Sequence, residues 1–371
     1  MTPDVVRSPY DTDLLGGVKP EPKFYIQNRL LTVGTDFSGM EAPILTMRWY
    51  LKIALQHVFA SDIAPSARKF IMTHTQPDML FGDVRSRMNN TPELQGLDLY
   101  CASAPCQPFS PSGKQLGVED RDGVLIYAAL NYIGCCRPTM VLLEQVPLKG
   151  KHVKLLEDVI QTLQQIGYTV ESKILNCKEY GITHNRPRLY IQAISSSRLM
   201  KPIQWPTPIG ERLTLSVIVQ PEKAALWLPH PDPSCTLRYT NCIKHLTKHA
   251  ENGVDVYKTP VVIDIDSSTR FCQSGVDVCP TLTRSRCESG GWWVSTKGGT
   301  LSLEEMMMLQ GFSPAMFNAE LAGISGPKMA AMVGNSVPCN VLSHLIPGML
   351  NSAGFITDGE QTQMVEESGW Y

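Results

Sequence analysis

Between residues 30 and 194 short apolar segments alternate with helical ones, and this alternation limits the fold more than any other feature of the chain. The segments "LLTVGTDF" (30–37), "HVFASDI" (57–63), "FGDV" (81–84), "LDLYCASA" (97–104) and "TMVLLEQV" (139–146) read as buried strands. "APILTMRWYLKIAL" (42–55) and "GVLIYAALNYIGC" (123–135) lie between them and read as helices. In 152–167, apolar residues at 153, 155, 156, 159, 160, 163 and 166 make a helical stripe. Two more strands follow, over 169–177 and 188–194. Strands alternating with helices predict an α/β fold, a doubly wound and mostly parallel sheet covered on both faces.

The pattern breaks near residue 198. Residues 198–295 are rich in Pro, His and Cys and weakly periodic, and read as a separate, smaller, irregular lobe. Helical patterning returns over 300–312 and 337–350, so 30–197 and 296–350 are expected to form one domain. Residues 1–29 read as an arm and 351–371 as a polar, frayed tail. The 371 residues suffice for one large core and one small one.

Eleven cysteines without an N-terminal apolar stretch predict reduced thiols and an intracellular protein, nuclear in a eukaryote and cytoplasmic in a bacterium or virus. No run is long enough to span a membrane. The net charge of −2 places any nucleic-acid surface in a local patch.

In an open α/β sheet ligands bind beyond the carboxyl ends of the strands. Asp36, Asp62, Asp83, Cys106 and Glu144 fall at or just past five successive strand ends. The first loop, "DFSGME", lacks the glycine fingerprint of dinucleotide binders. An acid after the second strand suits ribose hydroxyls, and one after the third suits an adenine amine. Together they suggest an adenosine cofactor without a pyrophosphate, although an ordinary turn with capping acids gives the same pattern. Cys106 stands in "SAPCQPFSPSGKQLG", where Pro105 and Pro108 stiffen the loop. It reads as a nucleophile, a buried thiol or a metal ligand.

These blocks resemble the cytosine-C5 DNA methyltransferases from roughly residue 30 to 345. "APCQPFSPSGKQLG" resembles the catalytic Pro-Cys loop, "LLEQVP" the Glu-Asn-Val motif and "GITHNRPRLYI" the Gln-x-Arg-x-Arg motif. "MVGNSVPCNV" resembles the C-terminal Gly-Asn-Ser-Val motif and "DFSGME" the first cofactor motif. The order is the family's. The resemblance implies a fold of the S-adenosylmethionine-dependent methyltransferase type, with the weakly periodic lobe as the target-recognition region.

It also implies that Cys106 attacks C6 of a flipped-out cytosine while Glu144 holds N3 and the exocyclic amine. Arg188 would contact O2, with Arg186 close by. S-adenosylmethionine would lie against Phe37, Ser38, Gly39, Met40 and Glu41, with Asp62 and Ile63 at its ribose and Asp83 and Val84 at its adenine. Pro105, Leu125, Asn335 and Ser336 would complete the pocket. The implied partner is double-stranded DNA and the implied state a monomer. A tRNA cytosine methyltransferase and a degenerate nucleic-acid-binding member are the alternatives.

The chain departs from the family pattern at Glu41, where a glycine is usual, at Gln145 for asparagine, and at His184 for glutamine. His245 and His249 have i,i+4 spacing, and Cys235, Cys242, Cys272 and Cys279 lie near them in sequence. Scattered thiols and histidines, with no metal, are the favoured reading, since the cysteines are spaced more widely than in common zinc sites. Lys149, Lys151 and Lys154, and Arg284, Arg286 and Lys297, read either as phosphate tracks or as solvated faces. Trp292 and Trp293 read as DNA-stacking or as packing residues.

Overall fold

The structure is a computed structural model that describes residues 6–7, 21–105, 125–148, 150–210, 213–219, 234–313, 316 and 322–370. It divides into two compact units. The first comprises residues 1–175, 187–207 and 341–370, and the second residues 176–186 and 208–340.

The first unit is built on β1 (Leu31–Asp36), β2 (Leu55–Ser61), β3 (Met79–Phe81), β4 (Leu99–Ala102), β5 (Met140–Gln145), β6 (Tyr168–Asn176) and β7 (Pro187–Ser195). Their order in the sheet is β3-β2-β1-β4-β5-β7-β6. Val6–Arg7 extends the β3 edge antiparallel. From β3 to β5 neighbouring strands are parallel, and β7 runs antiparallel to β5. Strand order reverses between β1 and β4, so the loops after these strands open at the topological switch point.

Helix α1 (Ala42–Leu45) passes into a π-helical turn over Thr46–Tyr50, and then Lys52 turns left-handed. The helix expected to reach residue 55 therefore stops early, and Leu55 already belongs to β2. α2 (Pro65–His74) starts with proline in its first turn, where the missing N–H has no intrahelical partner to lose. α3 (Leu125–Cys136) and α4 (Val153–Gln165) follow, and α4 buries Leu155, Val159 and Leu163 at four-residue spacing. The third strand lies two residues earlier than expected, because Asp83 caps a 3₁₀ turn over Val84–Ser86.

Phe59, Tyr100 and Tyr132 pack ring to ring in the sheet core, with Phe59 and Tyr132 centroids 5.2 Å apart. Gly34 is required there, since a Cβ at that position would come within 2.2 Å of the Phe59 ring.

The second unit carries α5 (Leu215–Ile218), α6 (Thr236–Glu251) and a four-stranded antiparallel sheet. Its strands are β8 (Val261–Asp264), β9 (Ser274–Val276), β10 (Trp292–Val294) and β11 (Gly299–Thr300), in the order β9-β8-β10-β11. Cys242 and Leu246 of α6 pack on Val261, Ile263, Ile265 and Trp293. α7 (Arg284–Ser289), α8 (Leu303–Leu309) and α9 (Gly326–Asn335) complete it. The region read as irregular thus has a helix, a sheet and its own core, and Trp292 and Trp293 are buried in it.

α10 (Cys339–Ser352) leads to α11 (Asp358–Glu367). The tail expected to fray is helical. Thr357 and Glu360 form a capping box, and Met364 is fully buried. Among the described residues no helix is long and apolar enough to cross a membrane.

Candidate active site

The strand ends of the first unit bring together polar residues from five loops. Asp36, at the end of β1, turns inward. Its carboxylate accepts from Arg87 Nη2 at 2.8 Å and Tyr100 Oη at 2.7 Å, and from the Ser61 hydroxyl. Arg87 also stacks over Phe59 and Tyr132, 4.6 and 4.8 Å from their centroids. Asp36 is a buried anchor under the sheet end. Nothing near Arg87 in the sequence foretells this pairing, which links residues 51 positions apart.

The loop after Asp36 bends sharply. Phe37, Gly39 and Glu41 all have left-handed backbones, with φ of 55°, 53° and 54°. Around Gly39 the backbone is open, and a Cβ there would meet only the Phe37 carbonyl, at 3.9 Å. Met40 is buried, and Phe37 packs against the sheet core.

Glu41 is fully buried under this loop. Its Oε1 accepts from the Thr35 hydroxyl at 2.8 Å and lies 3.4 Å from His57 Nε2. Thr35 Oγ1 is 2.8 Å from Ser38 Oγ, which accepts from the Ser61 backbone N–H. The residue in the usual glycine position therefore braces the loop from below.

Asp62 follows β2. Its Oδ2 accepts from Gly39 N–H at 2.9 Å and its Oδ1 from Ala64 N–H at 2.8 Å. Burial pushes its pKa up, and the two N–H donors pull it partly back. Each oxygen keeps acceptor capacity for a ligand hydroxyl. Ile63 beside it is 66% exposed. Asp83 caps its turn through Arg85 N–H and is gripped by the Arg85 guanidinium, while Val84 is buried. An open left-handed loop beside a half-buried carboxylate fits an adenosine cofactor with a vicinal diol.

Glu144 sits near the end of β5, its side chain 12% exposed, with Oε1 3.1 Å from Arg188 Nε. The antiparallel course of β7 makes this possible, since Tyr190 pairs with Glu144 and the start of β7 lies beside the end of β5. Gln145 is buried. Its Nε2 reaches the Ala104 carbonyl at 3.4 Å, and its Oε1 accepts from Val146 N–H at 2.9 Å. It thereby ties β5 to the segment leading into Pro105. Cys106 and the rest of its loop, Lys114 included, lie outside the described residues, as does Lys149. Leu125 opens α3 and is half-buried.

The other expected residues belong to the second unit. Arg186 is buried and donates to the carbonyls of Leu282, Gly334 and Ser336. It holds the start of α7 and the end of α9 together. Ser336 is buried, its hydroxyl on the Val333 carbonyl, and Asn335 is exposed. His184 is buried. Its Nδ1 meets the Leu309 carbonyl at 2.8 Å and its Nε2 accepts from Leu282 N–H at 3.1 Å, which fixes the tautomer.

His245 Nδ1 and His249 Nε2 both meet Ser274 Oγ, at 2.7 and 2.8 Å, and burial followed by nearby lysines lowers both pKa values. Arg286 pairs with Asp264, and Lys297 is buried against Glu305, so both cations are engaged within the unit. Lys154 and Arg284 are exposed.

A sequence profile described as C-5 cytosine-specific DNA methylase matches residues 37–351. The chain belongs to that family. Among curated relatives, the type II methyltransferase M.NgoBV of Neisseria gonorrhoeae is 31% identical over 155 residues, 39% of this chain and 36% of its own length. M.HpaII of Haemophilus parainfluenzae is 29% identical over 215 residues, 54% of this chain and 58% of its own. The chain thus spans about a third to three-fifths of these curated relatives.

Among solved structures, the S. pombe Dnmt2 methyltransferase superposes with a TM-score of 0.60 at 17% identity, covering 86% of this chain and 98% of its own. The Entamoeba histolytica methyltransferase EhMeth gives 0.60 at 15% identity, covering 87% and 98%. These likenesses carry the fold, that of the S-adenosylmethionine-dependent methyltransferases. Methylases of this family use S-adenosylmethionine, and the loop around Gly39 with Asp62 fits it.

Proposed function

We propose that this methylase transfers a methyl group from S-adenosylmethionine to C5 of a cytosine flipped out of DNA. The Glu144–Arg188 pair carries the reading. A carboxylate and a guanidinium 3.1 Å apart lie at the strand end beside the segment that leads to Pro105 and Cys106. A cytosine ring offers matching groups, with N3 and the exocyclic amine for Glu144 and O2 for Arg188.

The cofactor supplies an electrophilic methyl group, held by the residue 37–41 loop and Asp62. Cys106, as a thiolate, forms a bond to C6 and turns C5 into an enamine-like nucleophile. Glu144 shares a proton with N3, so the electrons displaced from the ring do not accumulate as an unshielded anion. Once C5 carries the methyl group, it gives up its proton to water, the electrons of that C–H bond re-form the C5–C6 double bond, and the thiolate departs from C6. Arg188 orients the Glu144 carboxylate throughout. Arg186 acts through the carbonyls it clamps and holds the Gly334–Ser336 backbone. A base inside a duplex is unreachable, so the target must leave the stack.

The test is trapping. A duplex containing 5-fluorocytosine is incubated with the protein and labelled cofactor. A denaturation-resistant adduct is expected with the wild type and is absent from Cys106→Ala. Absence of the adduct in the wild type would favour a degenerate nucleic-acid-binding member. Methylation of tRNA alone would replace DNA as the substrate.

A further inference from the structure

The turn joining β8 to β9 shows an aromatic ring to solvent on a backbone fixed from beneath. Phe271 is 68% exposed. The Ser268 carbonyl accepts from both Phe271 N–H and Cys272 N–H, at 2.8 and 3.0 Å. Asn241 of α6 donates to the Ile265 and Ser267 carbonyls at 3.1 and 2.6 Å, and Lys244 to the Thr269 carbonyl at 2.9 Å. Asp264 holds Ser267 through its N–H and hydroxyl, and itself pairs with Arg286.

An exposed phenylalanine forgoes the free energy that burying its ring would release. On a slack loop it could fold back, but this turn is tied along its length. The Arg270 guanidinium lies over one face of the ring, 5.5 Å from the centroid, and the ring stays largely exposed. No carboxylate occurs from Ser267 to Ser274. The acids at the base of the turn are neutralised, Asp264 by Arg286 and Asp266 by Arg238. Arg270, Lys244 and Lys248 are exposed nearby. A stiff ring flanked by uncompensated cations matches a nucleobase beside its phosphate.

We propose that the Arg270–Phe271 tip is a stacking contact for the DNA substrate, with the Phe271 ring wedged at a base step that it partly unstacks and Arg270 on the adjacent phosphate. This rests on the DNA reading above and adds the residues that grip it. The test is binding of the full-length chain to a fluorescein-labelled, mixed-sequence duplex at several salt concentrations. Phe271→Ala is expected to weaken binding about tenfold with an unchanged salt slope, and Phe271→Trp to restore it. Arg270→Ala is expected to weaken binding and to reduce the log–log salt slope by about one. The melting temperature of Phe271→Ala should match the wild type, since the ring supports no core. Unchanged affinity in Phe271→Ala, or no recovery in Phe271→Trp, overturns the proposal while the DNA reading stands. A wild type that neither binds the duplex nor forms the fluorocytosine adduct overturns both.

Discussion

Asp62 is held above the usual carboxylate range by burial, and the consequence runs against stability. Its folded pKa exceeds its unfolded one, so between the two values the native state binds more protons. Its stabilising contribution is present at low pH and is lost as pH rises through that window. Asp62→Asn should flatten this part of the melting temperature against pH profile while weakening S-adenosylmethionine binding at least tenfold, readable by calorimetry. Asp36→Asn leaves Arg87 buried without its counter-charge and is expected to destabilise the fold by about 3–5 kcal/mol in urea titrations. Gln145→Ala should slow single-turnover methyl transfer by about tenfold or more, at unchanged cofactor affinity, because the segment before Cys106 loses its tie to β5. At this scale the candidate acids were legible because each falls at a strand end. The difference between the anchor Asp36 and the more open Asp62 was not, since it depends on Arg87, from the turn after β3, and on Tyr100, from β4, both far from Asp36 in the sequence.

The strands were legible to within about two residues because parallel strands buried on both faces are nearly unbroken apolar runs. Helix α6 of the second unit was hidden for the converse reason. The buried residues of α6 are Asn241, Cys242, His245 and Leu246, a mostly polar set that no apolar periodicity reveals. α11 was missed because its sequence is polar, although its capping box was readable in "TDGE" at 357–360. Thr357→Ala is expected to cost about 1 kcal/mol and to speed amide exchange in the first turn of α11.

Across the whole molecule the cysteines report on packing. Burial raises the thiol pKa values of Cys101, Cys242, Cys279 and Cys287. Cys135 and Cys235 are exposed. Brief treatment of the native protein with iodoacetamide should therefore modify Cys135 and Cys235 first among the described cysteines, and mass spectrometry would locate the adducts. Equal labelling of Cys101 would contradict the packed sheet. The loss of periodicity was read at residue 198 and the return to the first domain at 296, whereas the chain crosses to the second unit at 176–186 and again after 207 and comes back at Val341. That return is made by Gln204, whose side-chain amide donates to Asn351 Oδ1 and whose backbone N–H donates to the Ser352 hydroxyl, and by Lys201 on Asp358. It has a consequence for translation. A ribosome finishes every strand of the first unit's sheet long before it makes the helices that cover Gln204, and residues 208–340 of the second unit are synthesised in between. The nascent sheet must wait with that flank open, and a message truncated before Val341 would yield a chain with all the strands of the sheet and an incomplete first unit.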